Sequence, residues 1–588
     1  MRVDSPRTSP TGVRRFVPIL DWARTYDRRW LRGDVIAGIA VAAMIVPKNL
    51  GYAGIAGIPV ENGLYAAAAA AIIYAIFCTS RHISTGPSSS LAAVAGGAVL
   101  VTASTGSDAA QLVAAIAIVT GALFLLVAIL RLGWLASFLS RAVVTGFLAG
   151  AAIDVVIGEL PKLTGTSSDG VNAWQELASW FRGLADLSVS TLVVGVVALA
   201  MILALRFTLP KVPGALVLVI GGLLGSVLLD LGARGVALVG PVPRGLPLPQ
   251  VPSLEIVGQN FPAIIIASLA LLLIGFSQTA GDAQVFATRH RYRVDLNQES
   301  IAQGMANLGA GLFQGMPVST SLSASSLNES AGARTPVASL ATGAIVVATL
   351  IFLAPLFSDL PKAVLAAIII DAVVFGMIDL AEFRRLRRVK QFDFWIAVAA
   401  VLGVLSVGVL LGVVVGIVLS LLWLINVATR PSMPILGREA GTQVYRDLAE
   451  HPEDETDPGV AVIRIDGGLF FATAAALDDR VRAIMGSQPG LSAVVLDFEG
   501  VNFVDSQGAA KMRELLELTK ANDIDLRLAR LKPNVSVVLT ADGLIDRIGP
   551  GNIHGNVHRA VEAAQAAFPR GSGTAAVARP EGFEPPTY

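Results

Sequence analysis

Two short stretches carry the residue types best suited to chemistry in this chain. One reads Gly86-Pro87-Ser88-Ser89-Ser90-Leu91-Ala92, the other Met316-Pro317-Val318-Ser319-Thr320-Ser321-Leu322-Ser323. Each is a proline followed by a hydroxyl cluster and then a helix of small residues. A helix start offers several unpartnered backbone N–H groups and about half a positive charge, so it can replace the water around an anion. Two starts meeting head to head supply roughly one unit of positive potential. Ser88, Ser89, Ser90, Ser319, Thr320 and Ser321 add hydroxyl donors. Without a mobile charged side chain, such a site binds an anion moderately and releases it, which suits transport better than tight capture. The bland alternative is that Ser and Thr runs are small residues at helix contacts. Two runs at matching positions favour the site.

Acidic residues inside a bilayer are costly and usually have a task. Asp154, Asp282 and Asp371 lie within apolar runs. Asp282 is the first choice for coupling, carrying a proton or helping to hold sodium as the anion moves. Its structural alternative is a partner for a hydroxyl or for Lys48. Glu61 and Glu329 lie near membrane ends and are assigned no role.

These residues must be held by a membrane body. Of 588 residues, 54% are hydrophobic and only 15% are charged, with mean hydropathy +0.67. A soluble domain is about a quarter charged, so an ordinary soluble enzyme is excluded. Formal charge is zero but unevenly placed. Residues 432–588 hold 22 of the 44 acids and 15 of the 44 bases, and the first 34 residues hold 8 arginines and 4 acids. The order is a basic leader (1–33), a charge-poor body (34–430), a linker (431–458), an acidic domain (459–568) and a disordered tail (569–588). A lone cysteine, Cys78, excludes a disulfide framework and a cysteine-rich metal site. The start lacks a signal-peptide pattern. There is no Walker-type phosphate loop, no nucleic-acid footprint, and no cofactor or metal is expected.

A spanning helix needs roughly 20 apolar residues. Stretches of that length begin near Asp34, Asn62, Ala110, Phe138, Val189, Pro213, Phe261, Thr335, Pro361, Phe392 and Gly408. Shorter or polar-interrupted stretches lie at 84–103, 297–313 and 317–330, giving 14 segments. Alternate loops carry the arginines: Arg81, Arg131, Arg206 with Lys211, Arg289, Arg334, and the group Arg384 to Lys390. By the positive-inside rule both termini are cytoplasmic, so 14 or 12 crossings fit and 13 do not. The two hydroxyl stretches fall in the third and tenth segments. An odd offset of seven inverts the second copy, the signature of an inverted-repeat transporter with discontinuous helices.

After Arg430-Pro431 the pattern alternates between strands and helices. Strands are expected at Val460–Ile465, Ser492–Phe498 and Asp525–Ala529. Helices are expected at Ala474–Met485 and Ser506–Lys520, and near 534–541 and 555–566. This is a small α/β domain. His554 and His558 have metal-compatible spacing but no third ligand, so a solvated pair is expected.

Several motifs in order resemble one family. Pro59-Val60-Glu61-Asn62-Gly63-Leu64-Tyr65 leads through an alanine run to residues 74–84. Asp295, Asn297-Gln298-Glu299, Asn307-Leu308 and Gly332-Ala333-Arg334-Thr335-Pro336 follow. Together they resemble the SulP (sulfate permease) family of anion transporters. The tail resembles a STAS domain through Asp466-Gly467, Leu469-Phe470-Phe471-Ala472, Leu496-Asp497-Phe498 and Val504-Asp505-Ser506. The resemblance covers about residues 30–568. It implies a polytopic helical protein of 14 segments in a 7+7 inverted repeat, divided into core and gate domains, with a cytoplasmic STAS domain. It also implies a multi-pass protein of the inner or plasma membrane, commonly a homodimer.

The resemblance places the anion between the starts of segments 3 and 10 and against segment 1. The matching positions are Lys48 and Tyr52 in segment 1 and Leu322 and Ser323 in segment 10. Many members have Gln at the position of Lys48 and Arg at that of Ala324. The sequence reading is that the cation has moved from one wall to the other; the alternative is that Lys48 snorkels to the surface. Gln278 occupies a position where an acid is expected in relatives, and Asp282 stands one turn away, able to take over coupling to protons or sodium. Soluble STAS regulators carry a phosphorylated Ser where this chain has Gln507. Ser506 is expected at the helix start as a cap. The function implied is secondary active transport of small anions, sulfate first, with bicarbonate, chloride and dicarboxylates also suited. The rivals are a nucleobase-type permease, a STAS-linked membrane sensor and an anion channel.

Overall fold

The computed structural model describes residues 16–132, 140–167, 170, 172–210, 212–457 and 459–568. The expected tail at 569–588, residues 1–15 of the leader, Lys211 and the expected segment start near Phe138 lie outside these residues. The chain divides between Leu421 and Leu422 into two compact units.

Every one of the fourteen expected segments coincides with a helix in the described residues. They are α1 (Leu31–Ile55), α2 (Val60–Phe77), α3 (Ser89–Thr102), α4 (Gly106–Leu130), α5 (Arg141–Thr164), α6 (Val189–Thr208) and α7 (Gly214–Leu229). The second set is α8 (Phe261–His290), α9 (Leu296–Leu312), α10 (Leu322–Ser330), α11 (Val337–Ala348), α12 (Lys362–Met377), α13 (Gln391–Val407) and α14 (Val409–Ala428). Among the described residues nine helices are long and apolar enough to cross a bilayer unaided. The short ones include α3, which starts at the first hydroxyl stretch, and α10, which starts at the second.

Helices α1 to α4 pack mainly with α8 to α11, α5 and α6 mainly with α12 and α13, and α7 packs against α6, α1 and α12. Small residues set the spacing, as close backbone approach in lipid demands. A Cβ at Gly63 of α2 would lie 2.1 Å from the Asn49 carbonyl of α1, so only glycine lets these helices cross there.

Between α2 and α3 the chain runs as strand β1 (Thr85–Gly86), and before α10 as β2 (Ser319–Thr320). The two pair antiparallel, Thr85 opposite Thr320 and Gly86 opposite Ser319. Non-helical backbone at this depth is tolerated only when protein buries it, and the polar face of α9 does that work. Asn307 takes the Val318 N–H on its Oδ1 at 3.0 Å and donates to the Val318 carbonyl at 2.9 Å. Glu299, fully buried, accepts from the Thr79 N–H at 2.8 Å, the Thr79 hydroxyl at 2.6 Å, the Ser80 N–H at 2.8 Å and the Tyr74 hydroxyl. This explains why the ninth segment is interrupted by polar residues.

The second unit holds a parallel sheet in the order β5 (Val460–Arg464), β6 (Ala493–Asp497), β7 (Asp525–Ala529), β8 (Ile553–His554). Its helices are α15 (Ala474–Ser487), α16 (Ser506–Ala521), α17 (Pro533–Ala541), α18 (Leu544–Ile548) and α19 (Val557–Ala567). Strand β6 is buried along its whole length, as a central parallel strand should be. Residues 431–458, expected as a linker, carry a hairpin of β3 (Leu436–Arg438) and β4 (Tyr445–Asp447). Leu436 enters the core beside Val462, and Arg446 grips Asp454 with two nitrogens, holding that carboxyl below its ordinary range. The cap of α16 is Asp505, not Ser506: its carboxylate accepts the Gly508 N–H at 2.7 Å, a reach that Ser506, already inside the first turn, does not have. His554 contacts Arg527 and His558 contacts Glu562, so the two histidines do not converge on one point.

Candidate functional site

The β1–β2 pair brings two helix starts together. Ser88 caps α3, accepting the Leu91 N–H at 3.5 Å, and Ser321 caps α10, accepting the Ala324 N–H at 3.4 Å. The Ser321 N–H donates to the Ser84 carbonyl at 3.1 Å, extending the pairing. The N–H groups of Ser89, Ser90, Leu322 and Ser323 find no acceptor among the described residues, as first-turn amides do not.

A cavity of about 30 Å³ lies where these starts meet α1. Helix α1 contributes Lys48, Asn49 and Tyr52, the first half contributes Thr85, Gly86 and Pro87, and the second contributes Ser321, Ser323 and Ala324. No carboxylate among the described residues lines it. A second cavity of about 490 Å³ shares Lys48 and Ser323 with the first and continues along Arg206, Pro213 and Asp371. There Arg206 clasps Asp371 through Nε at 2.6 Å and Nη2 at 2.7 Å, and the guanidinium carbon lies 4.2 Å from the centre of the Phe375 ring. Asp371 is therefore neutralised by its own partner. Lys48, half-buried on α1, makes no hydrogen bond or ion pair among the described residues. It shares the wall of the larger cavity with the Arg206–Asp371 pair but bonds to neither.

Of the sequence candidates, Lys48, Tyr52, Ser321 and Ser323 lie on the wall. The other hydroxyls are engaged elsewhere or set back. Ser88 meets Ser90 at 3.2 Å, Ser319 donates to the Gly275 carbonyl at 3.4 Å, Ser89 is buried off the wall, and Leu322 is about half exposed. Helix α8 touches both halves from one face. Gln278 donates to the Ser90 hydroxyl at 3.2 Å, and one turn on Asp282 accepts from the Thr320 hydroxyl at 2.8 Å. Asp154 sits half-buried on α5, outside both cavities. Glu329, at the end of α10, pairs with Arg289 and His290.

Among the wall residues that are not sequence candidates, Asn49, Thr85 and Gly86 stand out. Asn49 is 1% exposed and its Nδ2 has no partner among the described residues; Thr85 is 2% exposed and its Oγ1 likewise has none among them. Gly86 has open space where a Cβ would stand. For Asn49 a signal existed: it follows Lys48 directly and precedes Tyr52 by three residues, so all three can share a helix face.

The sequence pattern of the Sulfate permease family matches residues 31–400, and that of the STAS domain residues 451–561. The chain belongs to the sulfate permease family. It is thus an anion-transporter family member and a multi-pass membrane protein, not an enzyme. A probable sulfate transporter of Mycobacterium tuberculosis (strain CDC 1551 / Oshkosh) is 34% identical over 543 residues, covering 92% of this chain and 96% of that one. Solute carrier family 26 member 10 of Mus musculus is 31% identical over 585 residues, covering 92% and 85%. In fold, this sulfate permease family chain is similar to murine Solute Carrier 26 family member A9 in its inward-facing state, with TM-score 0.86 at 20% identity over 96% of each chain. It is also similar to the transmembrane domain of the cyanobacterium bicarbonate transporter BicA, with TM-score 0.57 at 21% identity, covering 67% of this chain and 98% of that domain.

Proposed function

We propose that this protein is a secondary active transporter of small anions, with sulfate its first substrate, and that the anion sits in the cavity between the starts of α3 and α10 and against α1. The observation that carries this reading is the placement of Lys48, without a hydrogen bond or ion pair among the described residues, on the wall of a cavity that otherwise offers hydroxyl, amide and helix-start donors. Potential from two helix starts, roughly one unit, plus Lys48 suits a dianion. The matching relatives named as sulfate transporters support the substrate.

The larger cavity reaches the junction of α6 and α7, the arginine-bearing side that the positive-inside rule assigns to the cytoplasm. On that reading the site is open inward. Transport then consists of one helix group, α1–α4 with α8–α11, moving against the other, the alternating access of an inverted repeat. Asp282 couples the anion to a proton or sodium through Thr320. The protein works as a homodimer in the plasma or inner membrane, with both termini and the STAS domain in the cytoplasm.

The test is tracer counterflow in proteoliposomes with sulfate, bicarbonate, chloride and a dicarboxylate, at two pH values and with and without sodium. A carrier exchanges labelled sulfate against unlabelled. A sensor binds without exchange, a channel gives currents beyond carrier rates, and a nucleobase permease ignores all four anions; any of these outcomes would end the proposal.

A further inference from the structure

The wall of the small cavity contains two buried donors that nothing among the described residues satisfies. Asn49 Nδ2 comes from α1 and Thr85 Oγ1 from β1, on elements that face the cavity from different sides. A buried polar group without a partner is costly and rare in native proteins. Their surroundings give no structural reason for either. Thr85 is in a pair whose other member, Thr320, has its hydroxyl on Asp282, and Asn49 sits where Gly63 of α2 closely approaches the α1 backbone.

We propose that Asn49 and Thr85 are specificity-determining residues, which select an oxoanion over a halide by each donating to a separate acceptor oxygen. This rests on the reading of the cavity as the anion site and adds what discriminates there. An oxoanion has several oxygens set at fixed angles, so donors on different walls, together with the free first-turn amides of α10, are satisfied at once. A halide is a single centre. Drawn toward Lys48, it leaves one or both donors bare. A site built to hydrogen-bond a substrate rejects the analogue that leaves its buried polar groups unpaired. Lys48 attracts both kinds of anion alike, so affinity and selectivity fall to different residues.

The experiment is titration of the purified full-length protein with sulfate and, separately, with chloride. The variants are Asn49→Leu, Thr85→Val, Thr85→Ser and Lys48→Gln. Thr85→Val keeps the side-chain shape and Thr85→Ser keeps the hydroxyl, so a folding defect in Asn49→Leu does not remove the test. Thr85→Val and Asn49→Leu should each weaken sulfate binding by about tenfold or more and change chloride binding by less than about threefold. Thr85→Ser should stay within about threefold of the parent for both. Equal losses for both anions, or no loss for either, would overturn the assignment, as would a parent protein that prefers chloride. Lys48→Gln separates the two levels. If it weakens both anions while Asn49 and Thr85 variants are silent, only the selectivity assignment fails. If Lys48→Gln is silent too, the anion site itself is elsewhere.

Discussion

Asp282 on α8 accepts a hydrogen bond from the Thr320 hydroxyl at 2.8 Å, and Thr320 pairs across the two-stranded ribbon with Thr85 on the cavity wall. A carboxylate is thereby linked through one side chain to the backbone that shapes the cavity. In Asp282→Asn the amide oxygen can still accept from Thr320, while the charge is gone. Sulfate KM should stay within about threefold, and the dependence of uptake on pH and sodium should vanish. Uptake at about pH 6 and about pH 8, with and without sodium, checks this. A variant that keeps both dependences takes Asp282 out of coupling.

Gly86 offers a way to fill the cavity without straining the fold. A Cβ there meets no atom within 4 Å, and its φ is not in the left-handed region. Gly86→Val should therefore express and melt close to the parent, within about 1 kcal/mol, yet lose at least about tenfold in sulfate kcat/KM because the anion's space is occupied. Thermal melting in detergent and tracer uptake report the two halves of the expectation. Normal uptake with a filled cavity would mean that the anion does not pass there.

The Arg206–Asp371 clasp joins α6 to α12 beside the larger cavity, with the Asp371 side chain 7% exposed and Arg206 36%. Arg206→Leu leaves a buried carboxylate without its cation and should destabilise by about 3 kcal/mol. The double variant with Asp371→Leu removes both charges and should recover a large part of that loss. Fluorescence-detected melting of the full chain distinguishes this from additive losses, which would mean that the two side chains act separately.

In the STAS unit, burial and the nearby Arg527 charge hold His554 below its ordinary titration range, favouring the neutral ring in the folded state. Unfolded histidine titrates near about 6.5. The contribution of this group is therefore complete above that pH and is lost as pH falls through the depressed folded value. His554→Gln should flatten the decline in the melting temperature of this unit between about pH 7 and about pH 5. An identical decline in parent and variant would assign it to other groups.

Much of this organisation is legible in the sequence, and the exceptions have physical causes. A proline followed by hydroxyls and small residues precedes both short helices, so both helix starts are legible in the sequence. What each hydroxyl does is not. Capping at Ser88 and Ser321 is local, but the engagement of Ser90 and Thr320 depends on α8, nearly 190 residues from the one and 38 from the other. For Asn49 the sequence shows only a shared helix face with Lys48 and Tyr52; its unpartnered amide is legible only once α1, β1 and α10 are assembled. The β3–β4 hairpin reads as linker because its strands are three residues each and are held by Leu436 and the Arg446–Asp454 pair rather than by a run of β-branched residues.

Lys48 is proposed to face the transported anion as its cation. The most direct measurement is the concentration dependence of labelled sulfate uptake in proteoliposomes for the parent, Lys48→Gln and Lys48→Arg. Sulfate KM should rise at least about tenfold in Lys48→Gln, with Lys48→Arg much closer to the parent because the charge remains. Parent-like uptake kinetics in Lys48→Gln would contradict it.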